Sequence, residues 1–276
     1  MKVIFLIFGV VSMSQPFPRA GNYFIHPNQM TYSSIPPRVR IIGGQDAAPH
    51  AYPYQVGMYL TKGISQEFCG GSIISSNYVL TAAHCLDKAS KATLIFGAHN
   101  IKEDEATQVR VTITDVTQFI IHPGWNAASL TNDIALVKLL GAIKESNVIK
   151  FVKLASGSDT FAGSKGIVTG WGVTFNSQKG VTPVLKYVTS TILTNEDCKN
   201  VNADYKKVVK STIMCFSGKG TVGTCQGDSG GPVLVDGVQV GIVSFGASDC
   251  SAGLPSVFTR LTEYKNWIIS NSDVKY

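Results

Sequence analysis

The chain has 276 residues, 44% of them hydrophobic and 15% charged, which is enough apolar material for a large core and too little net polarity for a disordered protein. Four of its six net positive charges belong to one end, because Lys2, Arg19, Arg38 and Arg40 lie in a stretch, residues 1 to 40, that holds no acidic side chain. Setting those four aside from the 24 basic side chains leaves 20 against 18 acidic ones from residue 41 onward, a balance that gives nucleic-acid binding no support.

Residues 1 to 14 open on Met1 and Lys2, run through apolar residues from Val3 to Val11, and end on the small residues around Ser12 and Ser14. That order is the order of a secretory signal peptide. The apolar run is well short of the roughly 20 residues that span a bilayer, so a secreted, extracellular protein without a membrane anchor is expected, the gut lumen being one such destination. Residues 15 to 40 carry Pro16, Pro18, Pro27, Pro36 and Pro37 without strand or helix periodicity and read as a pro-segment ending at Arg40.

From residue 41 the pattern is of short β-prone runs broken by Gly, Asn, Asp and Ser. Val109-Arg110-Val111-Thr112-Ile113 alternates as a half-buried strand does. Val233-Leu234-Val235, Asp236-Gly237 and Val238-Gln239-Val240 predict a hairpin, since Asp-Gly supplies the positive φ angles of a two-residue turn. Residues 155 to 166 are the loosest stretch and the expected connection between two halves. Leu261, Tyr264 and Ile268, with Trp267 beside them, share one helical face and predict a C-terminal helix. No other helix is expected, and the fold class is all-β.

Six cysteines, Cys69, Cys85, Cys198, Cys215, Cys225 and Cys250, can all pair in an exported chain, and their spacing alone leaves every connectivity open. No Cys-x-x-Cys pair is present and only Cys85 has a histidine beside it, so no metal site is expected. His26, His50, His99 and His122 have no companion ligands at metal spacing and read as surface or structural residues. No Asn-x-Ser/Thr acceptor for N-glycosylation occurs.

Gly227-Asp228-Ser229-Gly230-Gly231-Pro232 sets a serine among glycines that allow a sharp turn and close approach of a substrate. A serine hydroxyl is a weak nucleophile until a base takes its proton, which requires a histidine and a carboxylate to orient that histidine. Thr81-Ala82-Ala83-His84-Cys85 and Asn132-Asp133-Ile134-Ala135-Leu136 offer one of each. Alone, His84 reads equally as a core histidine and Asp133 as a turn cap; together they follow the order histidine, aspartate, serine of a known catalytic triad.

With Ile41-Ile42-Gly43-Gly44, Gly170-Trp171-Gly172, Ser244-Phe245-Gly246 and Pro255-Ser256-Val257-Phe258 added, the chain from 41 to 276 resembles the chymotrypsin-like serine peptidases. The likeness implies two packed six-stranded antiparallel β-barrels with a C-terminal helix and the active site between them. Ser229 would attack the scissile carbonyl, His84 would accept its proton, Asp133 would hold His84, and the N–H groups of Gly227 and Ser229 would form the oxyanion hole. It further implies activation by a cut after Arg40, made by a trypsin-like peptidase, so that the new amino group of Ile41 pairs with Asp228. The implied disulfides are Cys69 with Cys85, Cys198 with Cys215, and Cys225 with Cys250. No cofactor is implied.

In such peptidases the pocket floor lies six residues before the serine, here Gly223 followed by Thr224, with Ser244, Gly246 and Ser256 around it. A floor without a carboxylate cannot neutralise Lys or Arg, so cleavage after large apolar or aromatic residues is expected, with elastase-like or collagenolytic specificity as an alternative. Two residues depart from the common pattern: Phe245 replaces a tryptophan, and Ala98 stands where calcium-binding relatives carry glutamate, so no structural calcium is expected. The nearest subgroup by these features is the arthropod digestive chymotrypsins and collagenolytic brachyurins. The partners implied are protein and peptide substrates and protein inhibitors, acting on a monomer. A catalytically silent homologue acting as a binding or adaptor protein is the rival reading, and the presence of all three triad residues argues against it.

Overall fold

The computed structural model describes residues 44–175 and 178–276. The signal peptide, the pro-segment and the Arg40-Ile41 junction lie outside the described residues. A short strand, β1 (Gln45–Asp46), comes first and joins the second sheet. The first sheet follows, built from β2 (Gln55–Lys62), β3 (Ser65–Ile73), β4 (Tyr78–Thr81), β5 (Lys91–Phe96), β6 (Val109–Ile113), β7 (Phe119–Ile121) and β8 (Ala135–Lys138), with a one-turn helix α1 (Ala83–Leu86) after β4.

Its strand order is β6-β5-β2-β3-β4-β8-β7. The edges β6 and β7 are consecutive in the chain and separated only by residues 114 to 118, which include a 3₁₀ turn at Val116–Gln118 capped by the Asp115 carboxylate. Five residues reach at most about 17 Å, so the sheet must curl until its edges come near each other. Among the described residues no ladder closes it.

The second sheet comprises β9 (Lys153–Leu154), β10 (Lys165–Gly170), β11 (Lys186–Leu193), β12 (Ile213–Phe216), β13 (Pro232–Val235), β14 (Val238–Phe245) and β15 (Ser256–Arg260), with helices α2 (Asn195–Lys199) and α3 (Ala203–Val208) between β11 and β12. Strands β10, β11, β12, β15, β14 and β13 pair antiparallel around a complete ring. The second half is thus a closed six-stranded barrel, as the sequence led one to expect, whereas the first is a seven-stranded curled half-barrel.

Alternation fills both interiors. Val56, Met58 and Leu60 of β2 pack with Leu80, Leu94 and Leu136 in one cluster, and Val168, Val188, Met214, Phe216, Val243 and Phe258 fill the other. The last helix, α4 (Lys265–Asn271), follows a 3₁₀ turn at Leu261–Tyr264. Leu261, Tyr264 and Ile268 are buried in the first cluster, so the end of the chain returns from the second barrel to seal the first.

The β13–β14 hairpin forms as read, with Val235 opposite Val238 and positive φ at both Asp236 and Gly237. The loose connection is two residues shorter than expected, because β10 starts at Lys165. Helices α1 to α3 are additional to the single helix expected. They run four to six residues, too short to display a 3.6-residue repeat. The visible signals of α2 and α3 are their caps, since Thr194 Oγ1 accepts from Asp197 N, and Asn202 Oδ1 accepts from Asp204 N and Tyr205 N; α1, after Ala82, has no side-chain cap.

Candidate active site

The two halves meet through polar contacts. Thr169 Oγ1 of β10 donates to Gln55 Oε1 of β2 at 2.5 Å. Thr259 Oγ1 of β15 donates to the Asp133 carbonyl at 2.7 Å. Into this seam the first sheet brings His84, in α1, and Asp133, just before β8; the second brings residues 223 to 231.

Asp133 is buried to 1% exposure, and its carboxylate is fully engaged. Oδ1 accepts the backbone N–H of His84 at 2.9 Å, and Oδ2 lies 2.8 Å from His84 Nδ1. The Ser244 hydroxyl donates to the same Oδ2. The turn that delivers this aspartate needs a positive φ of 55° at Asn132, a conformation asparagine tolerates. Asn132 is then tied by its amide to the Gly124 carbonyl and by its Oδ1 to the Tyr264 hydroxyl.

Ser229 is seated by backbone fit. Its carbonyl accepts the Gly70 N–H at 2.7 Å. At Gly230, with φ 78°, a Cβ would stand 2.2 Å from Thr81 Oγ1 and 2.5 Å from the Gly70 carbonyl. Only glycine therefore lets the serine loop close against the strand that leads to His84. No hydrogen bond joins Ser229 Oγ to His84 among the described residues; His84 Nε2 lies 3.7 Å from Cys85 Sγ. In sites without substrate such catalytic bonds are often long.

Between 227 and 231, the N–H groups of Asp228, Gly230 and Gly231 donate to protein carbonyls. Those of Gly227 and Ser229 find no protein acceptor among the described residues. Gly227 adopts φ 96°, and a Cβ there would stand 3.1 Å from both Gly172 Cα and Val181 Cγ1. Asp228 turns inward, where its carboxylate accepts from Gly172 N at 2.9 Å and Cys225 N at 3.0 Å. A Cβ at Gly170 or Gly172 would strike this carboxylate, which accounts for the two glycines around Trp171. Burial pushes the Asp228 carboxyl up to about 6, against the opposing pull of those two hydrogen bonds.

A cleft opens beside Ser229, lined by residues 224 to 226 on one side and 243 to 247 on the other. The disulfide Cys225–Cys250 crosses it, while Cys69–Cys85 anchors α1 and Cys198–Cys215 ties α2 to β12. Beneath Thr224, the Ser256 hydroxyl accepts the Thr224 N–H at 3.0 Å. A Cβ on Gly223 would approach that hydroxyl to 2.9 Å, and one on Gly246 would enter open space. Among the described residues, no acidic or basic side chain lines this cleft. Ser244, grouped with the pocket on sequence grounds, borders it but directs its hydroxyl to Asp133.

The family is decided by comparison with known proteins. The trypsin family profile matches residues 41–268. This chain belongs to the trypsin family of serine proteases. Brachyurin of Leptuca pugilator is 40% identical, over 85% of this chain and 99% of that protein. Chymotrypsin of Phaedon cochleariae is 34% identical, over 98% and 97%. Among solved structures HL collagenase is similar at TM-score 0.76 and 29% identity, over 85% of this chain and all of the other. The trypsin-family protease described here is accordingly a serine endopeptidase that acts on protein substrates.

The cluster of Cys69, His84 and Cys85 brings three ligand-type atoms together, yet the two sulfurs are bonded to each other and only His84 could bind a metal. In the loop after β5, Glu105 accepts from the N–H groups of His99 and Asn100, and Gln108 Nε2 donates to the carbonyls of Asn100 and Glu103 and to Glu105. Among the described residues no helix is long and apolar enough to cross a membrane.

Proposed function

We propose that this protease is a secreted zymogen whose signal peptide spans residues 1 to 14 and whose pro-segment, 15 to 40, is cut after Arg40. The released enzyme, from Ile41, cleaves peptide bonds after large apolar or aromatic residues. Ser229 is the nucleophile, His84 the general base and then acid, and Asp133 the group that orients His84 and stabilises its charged form. The observation that carries this reading is the double hold of Asp133 on His84, at 2.8 and 2.9 Å, beside a serine whose loop packs on the same strand. The N–H groups of Gly227 and Ser229 receive the oxyanion, a service worth about 10² to 10³ in rate per donor.

The apolar preference rests on the floor made by Gly223, Thr224 and Ser256. It offers hydroxyls and no carboxylate, so a buried Lys or Arg side chain would lie unpaired. Activation rests on Asp228: a buried carboxylate held by two N–H groups has room in its chemistry for the ammonium of Ile41, and such a pair is lost at a cost of about 3 to 5 kcal/mol. An organophosphorus fluoride tests the assignment directly. It should label Ser229 in the Arg40-cleaved chain far faster than in the precursor, and not at all in Ser229→Ala; equal labelling of precursor and cleaved form would reject the zymogen reading.

A second reading, cleavage of native collagen, is favoured by the likeness to HL collagenase. It predicts fragments from triple-helical collagen below its melting temperature, where a peptidase limited to unfolded chains yields none.

A further inference from the structure

The carbonyl of His84 is the neglected end of this site. Helix α1 has a single turn, and among the described residues no backbone N–H donates to that oxygen, although Cys85 N and Asp87 N bond the carbonyls just before it. Its partner is Lys62, at the end of β2, whose Nζ donates to His84 O at 2.8 Å. The same ammonium lies 2.9 Å from Glu67 Oε2 on the neighbouring strand β3. Only 11% of the Lys62 side chain is exposed, against 42% for Glu67.

We infer that Lys62 is a positioning residue for His84, capping its carbonyl and setting, with Glu67, the electrostatic ease with which the imidazole accepts a proton. The inference rests on the proposed role of His84 as the general base. A cation bonded to the backbone of His84 disfavours the imidazolium of the same residue; a carboxylate on that cation offsets it, though only in part because Glu67 is partly exposed and screened. Among the described residues, the other charged groups bonded to His84 or α1 are Asp133, which holds His84 through both carboxylate oxygens, and Asp87, whose N–H donates to the Ala83 carbonyl at the end of α1. Disulfide-bonded Cys85 does not titrate.

The test is the pH dependence of kcat/KM for the Arg40-cleaved, full-length enzyme on a Phe or Leu peptide amide, whose acid limb reports protonation of the base. Lys62→Gln keeps a donor for the carbonyl and removes the charge; the acid-limb midpoint should rise by about half a pH unit, roughly threefold in proton concentration. Glu67→Gln, a change at a partly exposed site, should move the midpoint the other way. Lys62→Arg should restore the parent profile. If Lys62 only braced the backbone, Lys62→Gln would lower kcat and melting temperature without moving the midpoint, and Glu67→Gln would leave it in place; midpoints that coincide, or that shift together, overturn the inference. Should Lys62→Gln fail to fold, Glu67→Gln alone decides. His84→Ala separates the two claims, since full activity in that variant would remove the base assignment itself.

Discussion

Ser244 Oγ donates its hydrogen bond to Asp133 Oδ2, the same oxygen that lies 2.8 Å from His84 Nδ1. One carboxylate oxygen thus joins a side chain of the second barrel to the histidine of the first sheet. Ser244→Ala should loosen the orientation of the imidazole and lower kcat by about tenfold with little change in KM, whereas Asp133→Asn should cost on the order of 10⁴ in kcat. Steady-state kinetics on one small amide substrate check both, and a Ser244→Ala effect confined to KM would place that hydroxyl in substrate binding instead.

Under the proposed activation, Asp228 should give the precursor and the Arg40-cleaved enzyme opposite responses to pH. With the carboxyl pushed up to about 6 by burial, its contribution to stability is present in full below the ordinary carboxylate value near 4 and is lost as pH rises through 6. That amounts to about 3 kcal/mol. An ammonium paired with it after cleavage would instead favour the ionised form. In a Ser229→Ala background, the melting temperature of the cleaved chain relative to the precursor should therefore increase between pH 4.5 and pH 7.5. A difference independent of pH would count against pairing of Ile41 with Asp228.

The proposed pocket floor can be recharged. Gly223→Asp introduces a carboxylate but also a Cβ that meets Ser256 Oγ at 2.9 Å, so the hydroxyl must turn away. The expected result is measurable cleavage after Arg, increased when Ser256→Gly is added, with activity on Phe substrates reduced. On the wall, Gly246→Val fills the open space beside that glycine and should shift preference from Phe towards Ala.

Much of the candidate site was legible because its groups lie in short runs whose chemistry is local: a serine among glycines, an Asp-Gly turn, an aspartate before an apolar strand. The parts that were not legible depend on pairs distant in the chain. Lys62 is 22 residues from the carbonyl it caps, and Ser244 is 111 from the carboxylate it holds; nothing around either residue announces the partner. The open first sheet escaped notice for a related reason, since closure depends on ladder registry between β6 and β7 that no periodicity encodes.

Arg260 is the strongest such case. Only 3% exposed, it donates from Nε to the Ser211 carbonyl, from Nη1 to the Thr160 carbonyl, and from Nη2 to Asn195 Oδ1 and the Ile213 carbonyl. It thereby fastens the inter-sheet connection, α2 and β12 together. Arg260→Met should leave these acceptors unpaired and cost about 3 to 5 kcal/mol, seen as a lower midpoint in urea. A loss under about 1 kcal/mol would show that water replaces the guanidinium.

The central claim, a serine endopeptidase released by cutting after Arg40 and selective for apolar side chains, meets its most direct test in one assay. Purified precursor is treated with trace trypsin, and initial rates are followed on peptide amides ending in Phe, Leu, Ala and Arg, beside a Ser229→Ala control. Activity on Phe or Leu that emerges only with cleavage at Arg40 and is absent from the control is the predicted result. A dominant Arg rate that outlasts inhibition of the trypsin would contradict the pocket reading, and no hydrolysis of any substrate after confirmed cleavage would contradict the assignment of Ser229, His84 and Asp133.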